Sequence, residues 1–215
     1  MITTPQLIDS LAGGLRAAPQ GFVVRRLALG LCLGAAIALA ATLYAWGARP
    51  DFAAAVLSSS FWLKLAYPGG LALLSFAAIL RLSRPDGHIA LMTWVGLALV
   101  ILVMAGLAAA ELWRAPAGAY RELVMGSTSA VCPWLIALLA VPIMGITFWI
   151  LRTMAPTRLT LAGAAAGLTA GASAAFVYAF SCGESALPFV LIWYGLGMAL
   201  PTVAGAILGR LALRW

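Results

Sequence analysis

A chain of 215 residues with 64% hydrophobic residues, 9% charged residues and a mean hydropathy of +1.06 is not a soluble domain, which carries about 25% charged residues. The formal net charge of +7 does not mark a nucleic-acid binder either, because the cations are scattered at the ends of apolar runs with no aromatic-basic ladder. What remains is an all-α integral membrane protein with nearly all of its length in the bilayer.

Residues 1–25 are the one sizeable segment outside the apolar runs. Thr4-Pro5 reads as a helix start, with Thr as N-cap and Pro at the first helical position. Ile8, Leu11 and Leu15 follow at helical spacing and, with Leu7, form an apolar stripe. Gly13-Gly14 weakens this helix, and Pro19 and Gly21 end it. Such a helix is marginal alone. It either lies on the membrane surface or enters a groove on a partner protein. No short apolar run here closes on a clear A-x-A site, so no cleaved signal peptide is expected.

Six runs then meet the length needed to cross a bilayer, at roughly 27–47, 62–82, 89–110, 132–151, 158–180 and 187–209. With the amino terminus in the cytoplasm, nine Lys and Arg residues fall on the inner side, among them Arg16, Arg25, Arg26, Arg152 and Arg158. Four, Arg49, Lys64, Arg114 and Arg121, fall outside. This asymmetry favours both termini inside. The chain thus divides into a cytoplasmic segment, 1–25, and a six-helix membrane domain, 26–215.

Trp46, Trp62, Trp113, Trp134, Trp149 and Trp215 sit near span ends, as an interfacial aromatic belt requires. The longest connection, 111–131, is expected to lie along the surface. Small residues at spacings of three to four (Gly163, Ala164, Gly167, Ala170 and Gly171, then Gly195, Gly197, Gly205 and Gly209) suit close helix packing.

Little in this sequence carries chemistry. There is no Walker loop, HExxH, GxSxG or carboxylate pair on a helix face, so no enzyme is expected. No charge falls in the middle of a span; Lys64 and Glu111 lie near ends and are expected to snorkel. His88 follows Arg84-Pro85-Asp86-Gly87 as a solvated turn residue, and Cys32 reads as a small apolar filler.

Two thiols remain. Cys132 lies 24 residues before Pro156, and Cys182 lies 26 after it. Antiparallel helices of near-equal length, at ~1.5 Å per residue, return both cysteines to one membrane face, opposite the Arg152/Arg158 turn. There they can pair in an oxidising compartment, given Cα atoms within about 4.4–6.8 Å. They can instead take a soft metal ion, with Glu184 near enough in sequence to add an oxygen. Either event ties spans four and five together.

Several stretches resemble the NrsF-like family of six-span bacterial inner-membrane proteins. They are Leu7-Ile8-Asp9-Ser10-Leu11-Ala12, Phe61-Trp62-Leu63-Lys64, Cys132-Pro133-Trp134-Leu135-Ile136 and Ala155-Pro156-Thr157-Arg158. Cys182-Gly183-Glu184-Ser185 and Pro188-Phe189-Val190 through Trp193-Tyr194-Gly195-Leu196-Gly197 complete the set. The resemblance implies a negative regulator of an extracytoplasmic-function sigma factor, held at the membrane and released under stress such as heavy metals or oxidants. It implies that Cys132 and Cys182 are the periplasmic sensor thiols, with a possible heavy-metal ion between them. The family often has His before the second cysteine and Pro after it, where Ser181 and Gly183 stand here. Losing an imidazole weakens metal coordination more than thiol redox chemistry. From composition alone, the competing reading is a small transporter or metal-handling protein, which needs a polar path that few residues here could line.

Overall fold

The computed structural model describes residues 3–13, 21–84, 86–154 and 156–214. Among these residues the chain is helical, without a strand. Nine helices follow in order. They are α1 (Thr4–Gly13), α2 (Phe22–Trp46), α3 (Phe52–Ala55), α4 (Ser59–Leu82), α5 (Leu91–Arg114), α6 (Tyr120–Met125), α7 (Cys132–Arg152), α8 (Leu159–Tyr178) and α9 (Leu187–Ala212). Six of them, α2, α4, α5, α7, α8 and α9, are long and apolar enough to cross a membrane.

Each observed span matches a run expected from hydropathy, with boundaries moved by a few residues. The first begins earlier, at Phe22, because Gly21 takes the left-handed conformation at φ 79° and lets the chain turn into the helix. At α1 the cap is displaced by one residue. Thr4 is already helical, and Thr3 precedes it, its backbone N–H donating to Gln6 Oε1 at 3.0 Å. The expected stripe is described in part: Ile8 is exposed, whereas the side chains of Leu7 and Leu11 and the whole of Leu15 lie outside the described residues. Arg16, Pro19 and Trp215 lie outside them as well.

The bundle is built around α8. Its sequence, LTLAGAAAGLTAGASAAFVY, is almost entirely Gly, Ala, Ser and Thr through the middle. In lipid no hydrophobic force drives one helix onto another, so close backbone approach supplies the attraction. The most extensive helix contact is between α8 and α9. There a Cβ built at Gly163 would meet the Gly205 carbonyl oxygen, and one at Gly167 that of Pro201. Gly171, Gly205 and Gly209 lie in the same crossing, and two further expected glycines serve different contacts. Gly197 faces Ile136 of α7, and Gly195 faces only the Tyr67 hydroxyl, at 3.5 Å from a built Cβ. On the far side of α7, Gly30 and Gly34 of α2 receive Ile143, Ile146 and Ile150.

Two contiguous apolar clusters fill the bundle, one towards each end, both including residues of α8. A hydrogen bond between α8 and α4, Thr169 Oγ1 to Ser75 Oγ at 2.9 Å, is buried between them. The outermost span is α5, which packs mainly on α4 and on the start of α9. The tryptophans expected at span ends, Trp46, Trp62, Trp113, Trp134 and Trp149, are exposed, as a belt facing lipid headgroups would be. Cys32 is also exposed, on the outward face of α2, rather than packed in the interior.

Candidate functional site: a buried thiol pair beneath a braced crossing loop

Cys132 opens α7, and Cys182 follows α8 by one turn. The hairpin between them therefore brings both to one end of the bundle, away from Arg152 and Arg158. The side chains meet. Both thiols are buried and free, and they lie close enough to influence one another's ionisation. The equal-arm reading of the hairpin thus agrees with the placement of both cysteines at one end.

The loop after α8 crosses over this pair, and four elements hold it. Lys64, in the second turn of α4, donates from Nζ to the carbonyl oxygens of Cys182 at 2.8 Å and Glu184 at 2.6 Å. Arg49 lies just past Gly47, whose φ of 73° ends α2. Its backbone N–H donates to Phe180 O at 3.1 Å. Its guanidinium forms a forked pair with Asp51 at 2.6 and 2.7 Å. Ser181 Oγ donates to the Gly47 carbonyl. From the other side, the backbone N–H and hydroxyl of Ser127 donate to Glu184 Oε1, and the Leu187 N–H donates to Glu111 Oε2 at 2.9 Å.

The floor of the pocket is aromatic. The first helical turns of α9 widen into a π-helical turn, Val190–Tyr194, which seats Tyr194 fully buried inside. Such turns recur at functional sites. The Tyr194 ring stacks obliquely on Tyr178 at 6.0 Å, and its hydroxyl faces Cys182. Lys64 Nζ lies 5.3 Å from the Tyr194 ring centroid. The Trp193 indole, one residue back, donates to Val124 O at 2.8 Å and fixes the 111–131 connection against α9.

Three expectations are corrected here. Lys64 does not snorkel to water; it is fully buried and points into the crossing loop. Glu111 is likewise turned inward, onto the start of α9. Glu184 does not join the two sulfurs in a group that could hold a metal ion; its Oε1 instead accepts from Ser127. Among the described residues, no group of three or more His, Cys, Asp or Glu side chains comes together in a way that could hold a metal ion. His88 is exposed in its turn and far in sequence from the pair. The residues that sequence reasoning missed are Arg49, Tyr178 and Tyr194. Tyr194 stands in the Trp-Tyr-Gly-Leu-Gly stretch, and that stretch was the one signal pointing to it.

The electrostatics outside the spans follow from these contacts. The Arg49 guanidinium holds the Asp51 carboxyl below the usual carboxylate range, chiefly through their hydrogen bond. The Cys182 thiol is held below its ordinary range, first by the hydrogen bond from Cys132 and then by the Lys64 charge. A sulfur in that state is a nucleophile and a soft ligand, positioned beside the thiol that can close a disulfide with it.

No solved structure matches this chain. A family model described as negative regulator of sigma F matches residues 11–215. A protein of Azospira oryzae named as a probable anti-sigma-F factor NrsF is 41% identical over 99% of both chains. The anti-sigma-F factor NrsF of Caulobacter vibrioides is 36% identical over 99% of both chains. On this evidence the chain belongs to the family of negative regulators of sigma F.

Proposed function

We propose that this protein is a membrane-bound anti-sigma factor of the bacterial inner membrane that sequesters an extracytoplasmic-function sigma factor. Its relatives carry the anti-sigma-F name, and family membership extends along nearly the whole chain. The cytoplasmic segment 1–25 holds the sigma factor, through the stripe of Leu7, Ile8, Leu11 and Leu15. Ile8, the member of that stripe whose side chain is described, is exposed and so accessible to a partner. Both termini are cytoplasmic, and the thiol end of the bundle faces the periplasm. Cys132 and Cys182 sense stress that consumes thiols, an oxidant or a thiol-seeking heavy-metal ion, and the sigma factor is then released. The role is regulatory and not enzymatic.

The observation that carries the sensor reading is the buried thiol pair under a loop tied to the end of α2, to α4, to α5 and to the 111–131 connection. Closing a disulfide there changes the packing of α7 against α8, and the crossing loop transmits that change to its four tethers. Co-purification of the sigma factor should be lost when residues 1–22 are deleted, and retention after that deletion refutes the docking segment. Replacing Cys132 or Cys182 with Ser should abolish the transcriptional response to stress. An impermeant maleimide should reach the thiol end only from the periplasmic side; labelling from the cytoplasmic side overturns the topology.

A further inference from the structure

The pocket under the crossing loop contains a charge that its direct partners do not balance. Lys64 is fully buried, and the groups it touches are two backbone carbonyls and the Tyr194 ring, all neutral. The carboxylates nearby are engaged elsewhere: Asp51 by Arg49, Glu184 by Ser127 and Glu111 by the Leu187 N–H. A buried ammonium without an anion is strongly unfavourable. The titratable and charged groups facing it are few: Cys132 from α7, Cys182 from the loop, Tyr194 from α9, and Arg49 with Asp51 from the α2–α3 turn, whose opposite charges offset one another. Arg49 is a second cation, and phenols ionise only near pH ~10. A thiol is the one acid in this group that ionises close to neutrality.

Building on the sensor reading above, we propose that Lys64 is the positioning residue and counter-ion of the thiol pair. The reduced pair is a Cys182 thiolate that accepts the Cys132 S–H, and Lys64 neutralises it while pinning the 182–184 turn through two carbonyls. The lowered acidity range of Cys182, set first by the Cys132 hydrogen bond, agrees with this arrangement. Lys64 also makes the pocket respond to oxidation. Forming the S–S bond passes two electrons and the one remaining proton to a two-electron oxidant such as a peroxide or a small disulfide. The anion disappears, and Lys64 is left as an unpaired buried cation. The favourable way out is for its ammonium to leave for water, which lets go of the turn.

The test is site-resolved alkylation by iodoacetamide of the full-length reduced protein in detergent at neutral pH. The sulfur–carbon bond forms as iodide leaves, and mass spectrometry scores each cysteine separately. In the parent protein, Cys182 should react at least tenfold faster than Cys132. Lys64→Met should slow Cys182 about tenfold, the effect of carrying its acidity from below neutrality to about one unit above the assay pH, and Lys64→Arg should restore most of the rate. A merely structural lysine predicts the opposite sign, because losing its two hydrogen bonds loosens the turn and speeds alkylation. Unchanged or faster reaction at Cys182 in Lys64→Met overturns the proposal. If Lys64→Met does not accumulate, the parent protein decides: equal or reversed rates at the two cysteines also overturn it. The stress response of Cys182→Ser cells tests the sensor reading independently, so the two failures are distinguishable.

Discussion

Gly167→Ala is the sharpest test of what holds the bundle together. An added Cβ would stand 2.0 Å from the Pro201 carbonyl oxygen, about 1.4 Å short of the 3.4 Å at which ordinary contact begins. The obstacle is backbone on the facing helix, so no side chain can swing aside. Either α8 and α9 separate by about that distance along the crossing, or the clash is absorbed as strain. Overpacking of this kind costs about 1–3 kcal/mol, and a backbone obstacle belongs at the upper end. For a chain of this size, about 3 kcal/mol corresponds to roughly 6–12 °C in Tm. The control is Gly106→Ala on α5 or Gly145→Ala on α7, where an added Cβ meets nothing within 4 Å. There alanine should be neutral or stabilise by up to about 1 kcal/mol through helix propensity. Thermal unfolding in detergent, together with SDS-titrated unfolding for the free-energy difference, reads both. If Gly167→Ala falls within about 0.5 kcal/mol of the parent protein, close packing at this crossing is not what stabilises the fold.

Thr169→Val removes the buried hydroxyl bond to Ser75 at 2.9 Å and should cost about 0.6 kcal/mol in the same SDS titration. Asp51 is held below its ordinary range by Arg49, so its pair with Arg49 is intact above about pH 3.9 and fades as pH falls through the lower native value. Protection from hydrogen exchange across residues 47–55, taken relative to the intrinsic rate at each pH, should therefore fall only in acid, and Asp51→Asn should lower it at every pH. Glu184→Gln weakens the acceptor for the Ser127 N–H and hydroxyl and should raise exchange at residues 127–131 without altering the spans. Cys32→Ser, on the outward face of α2, should leave the stress response unchanged; a lost response would place a third thiol in the sensor.

The fold was largely legible because a bilayer imposes a simple rule. Every backbone polar group must be satisfied within its own segment, so apolar runs of sufficient length become helices. The pairing of Cys132 with Cys182 was legible for a related reason: equal helix lengths return the chain to the same height. Lys64 was misread because hydropathy counts position along a helix and not the neighbours across it. A lysine one or two turns from a span end looks free to reach water. The carbonyls that capture it belong to residues 182 and 184, more than a hundred positions away. Tyr194 was missed for a different reason. The π-helical turn that carries it into the pocket leaves no periodicity signal distinguishable from an ordinary apolar helix.

The sequence by itself determined six spans, their order, a small-residue seam and two thiols at one end, since all of these follow from length, apolarity and side-chain volume. Tertiary structure decided which groups the crossing loop is tied to and where the buried charges point. Hydrogen bonds and ion pairs act over about 3 Å, and a one-dimensional pattern does not encode separations of that size between residues distant along the chain.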